Sequence, residues 1–510
     1  MGDIPRLNAR RYPDKKALVM EDQSLTYSQF NDRVNLVANG LLARGVASGD
    51  RVAVLAMNRL DYPVLVYAAL KIGAVVVPVN FRYQQAELAY ALNDAAPKVM
   101  FFSGEMGKLV AETRGDLKEP IDLVSLGGGG GPEDLTLDGL IKGRSPDEPK
   151  TGPEPSWPAM IMYTSGTTGF PKGVIYSHGA YMNVAVGLCL EGDLGHNDVS
   201  MVCLPLFHNG GLNAITLPTL LLGGTVVIMA KGFDPDIILE AVGRHRVTMT
   251  MWVPTMLAIL VNHPGAAGYD VSSLNKIWYG SSAISPIILE ASQKMFGAGF
   301  YQWYGQTETG MNSVLRPEDH AEHTHCTGRE MFNSEIRIID EEGNDTPVGE
   351  VGEIICAQKL LGMSGYWNMP EATEQAICEG WIHTGDLARV EGGSFFTVVD
   401  RIKDMIISGA ENIYPKEIED LLMTHAGVRE VAVIGIPDEV YGESVCAVVV
   451  KKKGQDPSQE ELIGFCAERL ARYKKPKKVV FIDELPKNAA GKVTKNPLRE
   501  PFWADRGRRV

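Results

Sequence analysis

The spacing of apolar and polar positions changes repeatedly along the chain, and each change predicts a new element. Residues 28–44 carry apolar side chains at helical intervals, 51–57 form a strand-length apolar run, 62–72 are helical again and 74–79 again read as a strand. Strands that alternate with helices in this way predict crossover connections and α/β layers. Ala159-Met160-Ile161-Met162 and Val174-Ile175-Tyr176 read as two buried strands with a loop between them, and Ser177 is placed to cap a helix beginning near Gly179. The uncharged run 212–230 approaches the roughly 20 residues of a membrane helix. Pro218 and Gly223-Gly224 divide it into a helix-sized piece and the strand Thr225-Val226-Val227-Ile228-Met229, so no transmembrane segment is expected.

The C-terminal part has a different rhythm. Strand patterns at 431–436, 445–450 and 479–482 are interleaved with helical patterns at 415–423 and 459–470, which predicts a small α+β domain. Five glycines at 127–131 and the proline-dotted stretch 146–158 read as a surface excursion. A chain of 510 residues is too long for one compact core, so several domains are expected. Hydrophobic content of 45% with 22% charged residues is ordinary for a globular enzyme. The net charge of −14 disfavours nucleic acid or an anionic membrane as the main partner, and any anionic substrate must be held by local groups. The seven cysteines form no CxxC pair and no Cys/His ligand spacing, and the N-terminal residues lack the apolar core of a signal peptide; a cytoplasmic location is expected.

The chemistry concentrates first in Tyr163-Thr164-Ser165-Gly166-Thr167-Thr168-Gly169-Phe170-Pro171-Lys172-Gly173. Glycines let backbone N–H groups approach anionic oxygens, hydroxyls add donors and Lys172 adds positive charge, a composition suited to polyphosphate. It is not the P-loop of NTPases, because Pro171 precedes the lysine and Gly173 follows it. Tyr279-Gly280-Ser281-Ser282 and Trp303-Tyr304-Gly305-Gln306-Thr307-Glu308 each follow a strand-like segment. Tyr304 offers a π-face for a purine, the small residues 280–282 give clearance, and Glu308 beside Thr307 suits Mg²⁺, a hard ion that prefers oxygen.

The phosphate-loop run resembles the signature of the adenylate-forming superfamily, which comprises acyl- and aryl-CoA synthetases, peptide-synthetase adenylation domains and luciferases. The remaining motifs follow in that family's order over nearly the whole chain. By the resemblance, Thr164, Ser165, Gly166, Thr167, Thr168, Gly169 and Lys172 cradle the ATP phosphates. Gly280, Ser281, Ser282, Tyr304 and Gly305 receive the adenine, Thr307 contacts the α-phosphate, and Glu308 holds the metal together with Thr168. Asp386 in Thr384-Gly385-Asp386 is the ribose ligand, joined by Arg401. Lys403 is the pivot, Gly409 lines the pantetheine passage, and Lys492, in Asn488-Ala489-Ala490-Gly491-Lys492, is the catalytic lysine. Ala410 departs from the Gly-Gly usual after the pivot, and Ser364 replaces a basic residue. The implied division is an N-terminal ATP- and acid-binding domain at 1–400, a hinge at 401–403 and a C-terminal domain at 404–510.

The resemblance implies a ligase that uses ATP, Mg²⁺ and coenzyme A to convert a carboxylic acid into an adenylate and then a thioester. In Pro205-Leu206-Phe207-His208 the position at which amino-acid-activating relatives carry Asp is His208, which disfavours an amino acid and adds His208 to the catalytic set. The acid pocket is expected from His208, Asn209, Met251 or Trp252, Ser282, Trp303 and Gly305. The bulk of Trp303 favours an aromatic acid of the benzoate or hydroxycinnamate kind, such as ferulate or coumarate. The alternative is a short- or medium-chain fatty acid, and a carrier-protein-loading enzyme is a third class. Arg472, Lys474, Lys475, Lys477 and Lys478 are available to the coenzyme A phosphates or form a solvated face, and a homodimer is an open expectation.

Overall fold

The computed structural model describes residues 1–504 apart from 129–130, 132–133, 151, 165–170, 231, 283, 409–410 and 488–492. Within these the chain forms two compact units. The first holds Met1–Thr324, Gly328–Ile336 and Cys356–Ile382; the second holds His325–Thr327, Arg337–Ile355 and His383–Val510. Residues 383–403 thus group with the C-terminal part, and the sequence-based hinge at 401–403 lies inside the second unit. The long hairpin of Trp381–Gly392 and Phe395–Arg401 accounts for this grouping, since its antiparallel pairing extends as far as Asp386 and Arg401.

The alternation at the start of the chain is borne out. Helix Tyr27–Ala43 is opened by a capping box on Thr26, strand Arg51–Leu55 follows, then helix Asp61–Lys71 and strand Val75–Pro78. These strands enter an eight-stranded sheet whose order places Pro158–Thr164 beside Val75–Pro78 and Lys172–Ser177 outside it. All four residues of Val75–Pro78 and all five of Val99–Ser103 are buried, as befits strands covered on both faces.

A second sheet in this unit sets Val199–Val202, Met249–Trp252, Lys276–Gly280 and Gly299–Gln306 side by side and parallel. Helices Pro235–His245, Pro254–Val261 and Pro286–Phe296 contribute Ile238, Leu257 and Phe296 to its core. Residues 212–230 break where expected. Gly223 takes φ +86°, ending helix Leu217–Leu222 before strand Thr225–Ile228. Gly210–Thr216, just before that helix, is a π-helical turn, a form that recurs at functional sites.

The second unit contains the predicted α+β domain. Strands Val428–Asp438 and Gly442–Lys451 pair antiparallel, and Lys478–Phe481 adds in parallel. Alternate residues divide between two cores, with Val431, Val433, Val445, Ala447 and Val449 on one face and Ala432, Ile434, Cys446 and Val448 on the other. Helices Pro415–Met423 and Gln459–Ala467 cover the first face, and Leu498 and Phe502 of helix Asn496–Trp503 pack on the second. No helix among the described residues is long and apolar enough to cross a membrane, and all seven cysteines are free.

Candidate functional site

The phosphate-loop hairpin closes on the pair Thr164 and Lys172, the last partners in the antiparallel register of its two strands. Thr164 Oγ1 lies 3.4 Å from the Lys172 carbonyl oxygen, to which it donates. Ser165, Gly166, Thr167, Thr168 and Gly169 lie outside the described residues. The base of the loop is braced on its outer side. Gly365–Tyr366 adds antiparallel to Lys172–Ser177, Trp367 N–H donates to the Gly173 carbonyl at 2.7 Å, and the Trp367 indole N–H donates to the Asp94 carbonyl at 2.9 Å. A Cβ on Gly173 would come within 2.8 Å of Ile161 and 3.2 Å of Trp367, so this position needs glycine for close packing.

That brace brings a third group to the lysine. The Lys172 ammonium sits 4.9 Å from the centre of the Tyr366 ring, and the Tyr366 hydroxyl donates to Glu308 Oε1 at 3.2 Å. Burial, then the neighbouring Glu308 carboxylate, pushes the Tyr366 hydroxyl well above its ordinary pKa, so it stays a donor. Tyr366 carries no role in the sequence motifs. Its only signal there is its place beside Trp367 in an aromatic pair.

Glu308 and Thr307 occupy the tight turn between strands Gly299–Gln306 and Gly310–Leu315. Gln306 N–H donates to Thr309 Oγ1 at 3.1 Å, and Gly310 closes the turn at φ +73°. The register slips between Tyr304 and Gly305, and a Cβ on Gly305 would fall 1.9 Å from the Gly310 carbonyl oxygen. Gly280 ends the neighbouring parallel strand opposite Trp303, with Ser281 at φ +69° just beyond. Residues 280–282 and 304–308 are therefore grouped at the carboxyl ends of adjacent parallel strands, where open α/β sheets bind ligands. A single hard carboxylate beside a threonine hydroxyl fits Mg²⁺, which takes one or two protein carboxylates and leaves its other positions to water and phosphate. Among the described residues no group of three or more His, Cys, Asp or Glu side chains makes an all-protein metal cage.

His208 follows Phe207, whose ring meets Phe81 edge-on at 5.2 Å. The Gly210 N–H donates to His208 Nδ1 at 3.2 Å, which leaves the ring proton on Nε2, and burial lowers the imidazole pKa below its usual 6.5. His208 is thus neutral at pH 7 and presents a donor. Asn209 Oδ1 accepts from Asn213 Nδ2 at 2.8 Å inside the π-helical turn. Trp303 is 3% exposed and packs its indole 4.8 Å from that of Trp278. Trp252 is fully buried in the sheet's core, 5.1 Å from Phe296, and strand alternation turns Met251 to the opposite face.

In the second unit Asp386 and Arg401 are direct partners across the hairpin, with Arg401 Nε 3.0 Å from Asp386 Oδ1. Asp386 N–H donates to Thr384 Oγ1 at 3.0 Å, and that hydroxyl donates to the Ile354 carbonyl at 2.7 Å. Burial, and then the nearby Arg401 charge, lowers the Lys403 pKa. Of the suggested coenzyme A cluster, Lys474 and Lys477 pair with Glu417 at 2.6 Å and Asp438 at 2.7 Å. Gly409, Ala410 and Lys492 lie outside the described residues.

The model of the AMP-binding enzyme family matches residues 6–367, and that of the AMP-binding enzyme C-terminal domain matches 417–492. The chain is 38% identical to a feruloyl-CoA synthase of Amycolatopsis sp over 98% of its length and 99% of that protein's. It is 35% identical to the fatty acid–[acyl-carrier-protein] ligase ScoC of Streptomyces coeruleorubidus, over 99% of this chain and 96% of the relative. The structure of the anthranilate CoA ligase AuaEII with anthranoyl-AMP superposes with a TM-score of 0.92 at 26% identity, covering 99% of this chain and 97% of that one. The large N-terminal part of layered sheets and helices and the small α+β C-terminal part are those of such enzymes. This chain belongs to the AMP-binding, adenylate-forming enzyme family, in its acyl- and aryl-CoA synthetase branch.

Proposed function

We propose that the protein is an AMP-forming ligase that activates an aromatic carboxylic acid of the hydroxycinnamate or benzoate kind and transfers its acyl group to coenzyme A. What carries the reading is the Lys172, Tyr366 and Glu308 cluster at the base of the phosphate loop, in a chain that matches a feruloyl-CoA synthase along its whole length. A carboxylate is a poor acylating agent because its leaving group would be an oxide. In the first step a carboxylate oxygen attacks the α-phosphorus of ATP, the bond to the β-phosphate oxygen breaks, and pyrophosphate leaves with its electron pair. Lys172, Thr307 and Lys492 supply positive charge and donors to the phosphoryl oxygens, where preorganised electrostatics lower the barrier. Mg²⁺, held by Glu308 and Thr168, supplies charge neutralisation on the polyphosphate when bound.

In the second step the coenzyme A sulfur attacks the acyl carbonyl and AMP departs with the bonding pair. Lys492 serves only the first step, and movement about Lys403 withdraws it for the second. Asp386 accepts from the ribose hydroxyls with Arg401 beside it. Neutral His208, with its proton on Nε2, donates toward the acid.

The test is a screen of the purified protein with ATP, Mg²⁺ and coenzyme A, following AMP and acyl-CoA together. Ferulate, coumarate and benzoates should give equal amounts of both. Thioester chiefly from alkyl acids would replace the aromatic reading with the medium-chain one. AMP without thioester would point to a carrier protein as acceptor.

A further inference from the structure

The second unit carries a buried charge network that joins the pivot segment to the segment bearing Lys492. Residues 488–492 are flanked by a short antiparallel contact: Lys487 bridges Val493, and Thr494 N–H donates to the Pro486 carbonyl at 2.9 Å. Each flank then ends in an ion pair. Lys487 Nζ lies 2.6 Å from Glu430, and Lys495 Nζ lies 2.7 Å from Glu419 Oε1 with both side chains largely buried. The next turn of chain adds Arg499, 7% exposed, whose Nη1 is 2.9 Å from Asp404 Oδ1.

Asp404 directly follows the pivot residue Lys403, and Asp400 lies three positions before it. Asp400 Oδ1 accepts from Arg401 N–H at 2.7 Å, and Oδ2 accepts from Lys416 N–H at 3.0 Å. Lys416 is the second residue of helix Pro415–Met423, the helix that presents Glu419 to Lys495. Glu419 also accepts from Val433 N–H at 2.8 Å, which pins it to the central strand. Burial by itself lowers the Lys495 pKa, but the charges of Glu419, Asp400 and Asp404 outweigh it and leave the ammonium pKa above its ordinary value. Two buried cations, Lys495 on Glu419 of the helix and Arg499 on Asp404 beside the pivot, are a geometric constraint as much as a source of stability.

We propose that Lys495 and Arg499 are positioning residues for adenylation: Arg499 ties the segment carrying Lys492 to Asp404 beside the pivot, and Lys495 ties it through Glu419 to the helix whose first turn Asp400 holds, so that pivot and lysine travel as one body. The inference rests on the ligase reading and on Lys492 acting in the first step alone. A role confined to folding would depress both half-reactions together, whereas a positioning role affects only the one that uses Lys492.

The experiment measures the two half-reactions separately on the full chain: pyrophosphate exchange with ferulate and ATP, and coenzyme A acylation from supplied feruloyl-adenylate. Because Lys495→Met alone strands Glu419, the double variant Lys495→Met/Glu419→Gln is measured beside it, with Lys495→Arg as the rescue. Exchange kcat in the double variant should fall about a hundredfold, the scale of an ångström-sized misplacement, with ATP KM and acylation from the adenylate within about threefold of wild type. Lys495→Arg, which keeps the charge on a bulkier planar head, should recover part of the exchange lost in Lys495→Met. Unchanged exchange, or a parallel loss in both half-reactions, overturns the inference and leaves the ligase reading standing. A wild-type protein with neither half-reaction overturns both.

Discussion

Tyr366 and Glu308 are joined by a 3.2 Å hydrogen bond across 58 positions of sequence, and the same tyrosine ring carries the Lys172 ammonium. One aromatic side chain therefore orients both the cation of the phosphate loop and the carboxylate proposed for the metal. Tyr366→Phe keeps the ring and removes the donor. A hydrogen bond to a charged group contributes about 1.5–3 kcal/mol, so adenylation kcat/KM should fall roughly ten- to a hundredfold. The loss should be partly recovered by raising Mg²⁺, which a titration of pyrophosphate exchange against metal concentration would detect. An unchanged metal dependence would separate Tyr366 from Glu308's role.

Gly305 is the position in the strand-end cluster least open to substitution. A Cβ there would meet the Gly310 carbonyl oxygen at 1.9 Å, and backbone cannot swing aside as a flexible side chain can. Gly305→Ala should cost about 1–3 kcal/mol of stability through overpacking and displace the turn carrying Thr307 and Glu308. Thermal unfolding and pyrophosphate exchange should fall together. An alanine variant with full exchange activity would show that the turn adapts.

The layers and the site were legible to different degrees, for physical reasons. Helix Tyr27–Ala43 and strand Arg51–Leu55 write their burial into residue spacing, and the valine-rich strands of the C-terminal domain do so again. Thr307 and Glu308 could be placed in a turn because glycines bracket them. Strand Gly365–Tyr366 is two residues long, too short for any period, so its pairing with Lys172–Ser177 and the contact with Lys172 left no trace in the pattern. The π-helical turn Gly210–Thr216 begins with two glycines, which by propensity read as loop; burial of all seven residues overrides that preference. Trp252 and Trp303 show the opposite limit. Sequence marks a large aromatic near a strand end but not which side of the sheet receives it.

Trp303 makes that last point testable. Its indole is 3% exposed and packed on Trp278, so shortening it opens space inside the unit. Trp303→Leu should destabilise the fold by about 2–4 kcal/mol. If Trp303 bounds the acid pocket, the same variant should gain activity toward longer alkyl acids relative to ferulate. Loss of stability with an unchanged substrate profile would make the residue a packing element alone.

Buried histidines give the protein a pH dependence whose sign follows from His178. Both ring nitrogens of this residue are buried without a hydrogen-bond partner among the described residues, and burial lowers its pKa from 6.5 to about 4. Between those values the unfolded chain holds a proton at this position and the folded chain does not. Unfolding therefore takes up protons, and stability is fully present above pH 6.5 and declines as the pH falls toward 4. The contribution from this group alone is on the order of 3 kcal/mol across the window. His208 and His320, also shifted down by burial, add in the same direction. His178→Met removes the titration while filling a similar volume. Urea midpoints measured from pH 7.5 to pH 4.5 should fall more steeply for the wild type than for this variant, and identical slopes would mean that His178 reaches solvent or a proton donor in the folded state.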